Sequence, residues 1–111
     1  MASEHSIRMD YERAKAAAAK LDGIADEINR MMVNDYRDLL GDISYNWKGE
    51  NADQFMVKSG VLQDKMIIVE KRLRETADTI RRIAKNTYDA EMRALEVARA
   101  REYAERMAAK K

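Results

Sequence analysis

Apolar and small residues recur along this chain at alternating spacings of three and four. Ile7, Tyr11, Ala14, Ala18, Leu21, Ala25, Ile28, Met32, Tyr36, Leu39 and Ile43 form one unbroken stripe. A second stripe starts at Ala52 and runs through Phe55, Ser59, Leu62, Met66, Val69, Leu73, Thr76, Ile80, Ile83 and Thr87. This is the period by which a helix lays one side along another helix. No stretch sustains the two-residue alternation of a half-buried strand. Between the stripes the pattern fails: Gly41, Asp42, Ser44, Asn46, Gly49 and Asn51 are turn and capping residues. Asn51 followed by Gln54 suits a capping box at the start of the second helix. The spacing predicts helices near 7–43 and 50–108 joined by a turn near 44–50. That is an all-α chain folded as an antiparallel two-helix hairpin.

Closing such a hairpin around residue 47 sets Ile43 opposite Asn51 and Ile7 opposite Thr87. Residues 1–6 then form a flexible N-terminus and 7–87 the hairpin. Residues 88–111 overhang it as a charged helical extension or a flexible tail. Asp89–Arg93, Arg101–Glu105 and Glu102–Arg106 pair there at i,i+4 spacing, each contributing about 0.2–0.5 kcal/mol.

Two helices provide one seam and no second layer, so a hairpin alone buries little. Apolar side chains nonetheless spill off the seam. Ala17, Ile24 and Met31 follow a flank of the first helix at seven-residue spacing, and Met56, Val57, Val61, Ile67 and Ile68 widen the apolar face of the second. A helix apolar on more than one side expects more than one neighbour, and dimerisation into a four-helix bundle meets that need. Ile24, Met31, Val61 and Ile68 are the candidate dimer or partner interface. Gly23 and Gly60 interrupt the two helices, each at a cost of about 0.8–1 kcal/mol relative to Ala. A close helix crossing, for instance at a dimer contact, or a local kink would account for them.

Composition narrows the function. The chain has 111 residues, the length of one domain, with no Pro and four Gly among helix-forming residues. Its 21 basic and 20 acidic side chains leave a net charge of +1, too little to attract nucleic acid or an anionic membrane as a field. Without Cys there is no disulfide framework and no thiolate metal site. The first twenty residues hold no apolar core of a signal peptide, and no run reaches the roughly 18–20 apolar residues of a membrane span. His5, the only His, has no Cys or second His to act with; no catalytic residue, metal ligand or cofactor is expected, and the protein is read as a non-enzyme. The basic run "EKRLRETADTIRR" is interrupted by acids and lacks interleaved aromatics, the pattern of a solvated helix face rather than a nucleic-acid surface.

What remains is the turn. It carries Trp47, the only Trp of the chain, two residues before Gly49. Gly49 permits a positive φ or close backbone approach. Trp47 either plugs the helix ends or is displayed to a partner, and the residues alone leave both readings open.

Residues 7–90, with the central Trp47-Lys48-Gly49 and the sequence "WKGENADQF" placing Phe55 six residues after the Gly, resemble the WXG family. These are the small early-secreted-antigen-like helical hairpins exported by bacterial type VII (ESX-type) secretion systems. The resemblance implies an antiparallel four-helix bundle formed as a homodimer or heterodimer. It implies export in folded form by a membrane-embedded ATPase machine of Gram-positive or mycobacterial hosts, with secretion despite the lack of a signal peptide. Trp47 and Gly49 would be the turn motif. Many members also carry a C-terminal Tyr followed four residues later by Asp or Glu as an export signal. Here Met92 and Met107 stand at that spacing from Tyr88 and Tyr103, and Tyr88 has Glu91 three residues on. Tyr88 and Glu91 are thus a candidate variant of the signal, which otherwise is supplied by a partner or missing. Three readings follow: an exported dimeric hairpin, a small escort for the helical N-terminal domain of a larger secreted toxin, and a cytosolic structural coiled-coil adaptor whose Trp47 merely packs the turn.

Overall fold

The computed structural model describes residues 2–110. Among these, α1 spans Glu4–Arg30, a π-helical turn spans Met31–Tyr36, α2 spans Arg37–Asn46 and α3 spans Glu50–Ala109; there is no strand. Among the described residues no helix is long and apolar enough to cross a membrane. The chain divides into two compact units, one from the described parts of Met1–Ala18 and Asp78–Lys111, the other from Ala19–Ala77.

The Ala19–Ala77 unit is a helical hairpin. Its most deeply buried side chains are Ala25, Met32 and Leu40 on the first arm and Ala52, Ser59 and Ala77 on the second. Four of these six are Ala or Ser. Small side chains allow two helix backbones to approach closely, and the larger apolar residues are pushed to the flanks. No large side chain among the described residues is fully buried.

The seam on α3 differs from the sequence expectation. Ala52, Ser59, Met66 and Leu73 lie on it as predicted, but the alternate positions are taken by Met56, Gln63, Glu70 and Ala77, all buried or half-buried. The expected Phe55, Leu62 and Val69 are exposed by 40%, 50% and 47%. A rotation of the helix by one residue separates the two patterns. Polar contacts between the arms fix the observed one: the Arg74 guanidinium donates to Asp26 at 2.8 Å and to Glu70 at 3.0 Å, and the Asn29 amide donates to Glu70 at 3.4 Å. Arg74 is held above its ordinary pKa, first by Asp26 and then by Glu70. The Asp26–Arg74 pair is solvent-exposed and adds little to stability, and the Arg74–Glu70 contact is part-buried; together they specify which side of α3 turns inward.

The first arm departs from expectation at the π-helical turn. Leu39, predicted on the seam, is 53% exposed, and Leu40 is buried at 6%. A π-turn holds more residues per turn than an α-helix, so the seam steps from Met32 to Tyr36 to Leu40 without leaving its side. The Tyr36 hydroxyl donates to the Ser59 carbonyl oxygen at 3.5 Å at this level.

In the other unit the first part of α1 runs antiparallel to residues of α3. Ser3 caps α1: its Oγ accepts from the Ser6 N–H at 3.1 Å and its carbonyl from the Ile7 N–H at 3.0 Å. The helix therefore starts inside the stretch expected to be flexible, with Glu4 in its first turn where an acid suits the helix dipole. Ile7 and Ala18 are buried. The Tyr11 and Tyr88 rings stack at 4.8 Å with Lys15 over one and Lys85 over the other. Arg99 reaches Glu4 at 3.2 Å, so α3 is engaged well beyond Tyr88, where the overhang was expected to begin. Residues 101–110 are exposed throughout.

Glu4 lies below its ordinary value of 4.5 because Arg8, and then Arg99, hydrogen-bond to its carboxylate. A depressed carboxylate stabilises the folded state above its unfolded pKa and loses that contribution as pH falls through the folded one. NMR titration of the Glu4 carboxyl is therefore expected to give a midpoint below 4.5 in the native chain. Arg8→Ala should move it up further than Arg99→Ala.

Candidate functional site: the Trp-x-Gly turn and the exposed apolar faces

The break between the helices is three residues long. α2 continues through Gly41, Asp42, Ser44 and Asn46, all expected in the turn. Side chains secure its last carbonyls, with Asn46 donating to the Asp42 oxygen at 2.8 Å and Lys48 Nζ to the Ser44 oxygen at 2.8 Å. Both contacts satisfy acceptors that a helix end leaves open. Trp47 leaves the helix with extended backbone at φ −127° and ψ 116°, its N–H still bonded to the Ile43 oxygen at 2.8 Å.

Gly49 reverses the chain. Its φ of +117° lies where L side chains are strained, and its carbonyl accepts from the Asp53 N–H at 3.0 Å to open α3. Asn51 thus sits inside the helix rather than capping it. Nothing surrounds the position a Cβ would occupy, so the requirement for Gly is conformational and not spatial. Gly49→Ala is expected to cost about 1–3 kcal/mol from backbone strain alone, read as a lower urea midpoint at unchanged m-value.

Trp47 packs one side and shows the other. Its ring lies 5.7 Å from that of Phe55, tilted by 48°, a geometry worth about 0.5–1.5 kcal/mol beyond area burial. This contact ties the exit of α2 to the second turn of α3 and explains an aromatic six residues after the Gly. Yet Trp47 remains 44% exposed, and nearby Tyr45 is 82% exposed. The ring contact fits a plug, and the exposed remainder of the ring is free to meet solvent.

The remaining candidates fall into different places. Ile24, Met31, Val61 and Ile68 belong to the Ala19–Ala77 unit and are exposed by 47%, 48%, 50% and 48%. Met31 and Leu39 line a hollow with Asp35, Tyr36 and Met66. A second groove is lined by Met32, Val33, Arg37, Gln63, Asp64 and Ile67. Tyr88 and Glu91 lie in the other unit, half-buried, sharing a hollow with Ile7, Asp10 and Tyr11. The Tyr88 ring is thus engaged by Tyr11. Sequence reasoning missed that stack: Tyr11 lies on the first stripe, but Tyr88 falls one residue past Thr87, where the second stripe ends. Among the described residues no three His, Asp or Glu side chains gather as metal ligands.

No family model, curated protein or solved structure matches this chain.

Proposed function

We propose that the protein is a non-enzymatic bacterial interaction module. On this reading it pairs with a related helical hairpin, itself or another, into a four-helix bundle and is exported folded by a type VII (ESX-type) secretion ATPase. The observation that carries it is the turn. A lone Trp held by Phe55 and kept 44% exposed beside a positive-φ Gly is costly to leave in water unless something reads it. The resemblance of "WKGENADQF" to the WXG turn supplies the class of reader. The pairing half rests on the half-exposed Ile24, Met31, Leu62 and Val69, too many on one unit for a finished surface.

The experiment is detection of the untagged native protein in culture supernatant, against a cytosolic lysis marker, in strains with and without the secretion ATPase. Appearance outside only with the ATPase is expected. Confinement to the cells in both strains would overturn independent export. It would favour the escort of a larger secreted toxin, for which the same apolar face would serve, or a cytosolic adaptor.

A further inference from the structure

Gly23 relieves no clash in its own chain. It is exposed in the middle of α1, its backbone is ordinary helix, and an added Cβ would meet nothing within 4 Å. A close crossing inside the hairpin is therefore not its reason. A helix-interior Gly that spares no intramolecular clash points to a backbone approaching from another chain.

Its neighbours indicate which. Lys20, Gly23, Ile24 and Glu27 share one exposed side of α1, at the three- and four-residue spacings that align side chains on a helix. Ile24 is 47% exposed, and Met31 continues the same side at 48%. Neither Lys20 nor Glu27 has an ion-pair or hydrogen-bond partner among the described residues. Standing two turns apart on one helix, they cannot reach each other. They are, however, mirror positions about the point between Gly23 and Ile24. An identical helix laid antiparallel across that point brings Lys20 against Glu27 of the second copy and Glu27 against its Lys20. The same operation sets the Ile24 side chain over the bare backbone of Gly23, twice. Charge and shape are both self-complementary, as a two-fold contact requires.

On the second long helix Gly60 is equally open around its missing Cβ, but the charges there do not match. The exposed Leu62 and Val69 are flanked by Lys58, Lys65 and Arg72, which would repel the same edge of an identical copy.

We infer that the partner on this face is a second copy of the chain, and that the two copies cross antiparallel, α1 on α1, with Gly23 and Ile24 at the two-fold axis. This inference rests on the pairing part of the proposed function and names the partner and the contact.

The chain has no Cys, so single-Cys variants of the full chain report the contact directly. Oxidised with glutathione disulfide, Ile24→Cys is expected to give a covalent dimer as the main species, because residues at the axis come within disulfide reach. Val69→Cys should remain mostly uncrosslinked. In parallel, Gly23→Leu should keep its helical circular dichroism and weaken self-association at least tenfold by sedimentation. Crosslinking only in a mixture of the two Cys variants would place α1 over α3 and overturn the inference, as would a Gly23→Leu chain that still dimerises like the native one. A native chain that sediments as a monomer at all concentrations would also overturn it, while pairing with a different hairpin would survive; the supernatant experiment is independent of all three results.

Discussion

Trp47→Ala is expected to bring the protein in the culture supernatant down to the level seen without the secretion ATPase, with its helices still folded. The structural cost follows from the position of the ring. Trp47 is 44% exposed and its ring packs on Phe55, so truncation forfeits part of its burial and that ring contact, about 1–2 kcal/mol. A fully buried Trp would cost about 3–5 kcal/mol. Circular dichroism and the urea midpoint measure that loss; immunodetection outside the cell, normalised to intracellular protein, measures the other. A variant that unfolds outright, or one that is destabilised but exported as before, would reduce the Trp to a turn plug.

The second large effect lies in two adjacent leucines. Leu40→Ala is expected to destabilise the Ala19–Ala77 unit by about 2–5 kcal/mol, because the side chain is 6% exposed on the seam. Leu39→Ala, at 53% exposure, removes surface apolar area and should change stability by less than about 0.5 kcal/mol. Urea unfolding of the two variants at equal dilution checks the contrast. A reversal would mean that the seam follows uninterrupted α-helical spacing and that the π-turn is not formed.

That pair also explains what the sequence could and could not disclose. Helix content and the position of the chain reversal were readable because both stripes hold a three–four period and Gly49 is the one residue that tolerates the required φ. The π-helical turn was not, because "LL" at 39 and 40 offers an apolar residue in either frame and hides a slip of one position. On α3 the reason is different. Pattern reading favours large apolar residues, hence Phe55, Leu62 and Val69, whereas close approach of two backbones favours Ala52, Ser59 and Ala77. The Arg74 contacts to Asp26 and Glu70 select the second frame, and interhelical polar pairs leave no trace in a hydrophobicity pattern. At the turn, the Trp-x-Gly residues were singled out from sequence, but the division of Trp47 between packing and exposure depends on where Phe55 reaches. Ile24 and Met31 were visible as a flank; that Gly23 beside them relieves no contact within the chain could be learned only from the structure.

The π-helical turn has a further consequence, for how this chain can change length. Removing one residue between Met31 and Tyr36 would leave Met32, the tyrosine, Leu40 and Ile43 separated by three, four and three positions, the spacing of an ordinary α-helix with the same side chains inward. Adding one residue within an α-helical stretch creates the reverse situation. The segment is thus a place where a single-codon deletion can be absorbed locally, with the downstream seam and the Trp turn keeping their orientation. Homologous hairpins one residue shorter on the first arm are expected to carry a continuous helix there and the same turn beyond it.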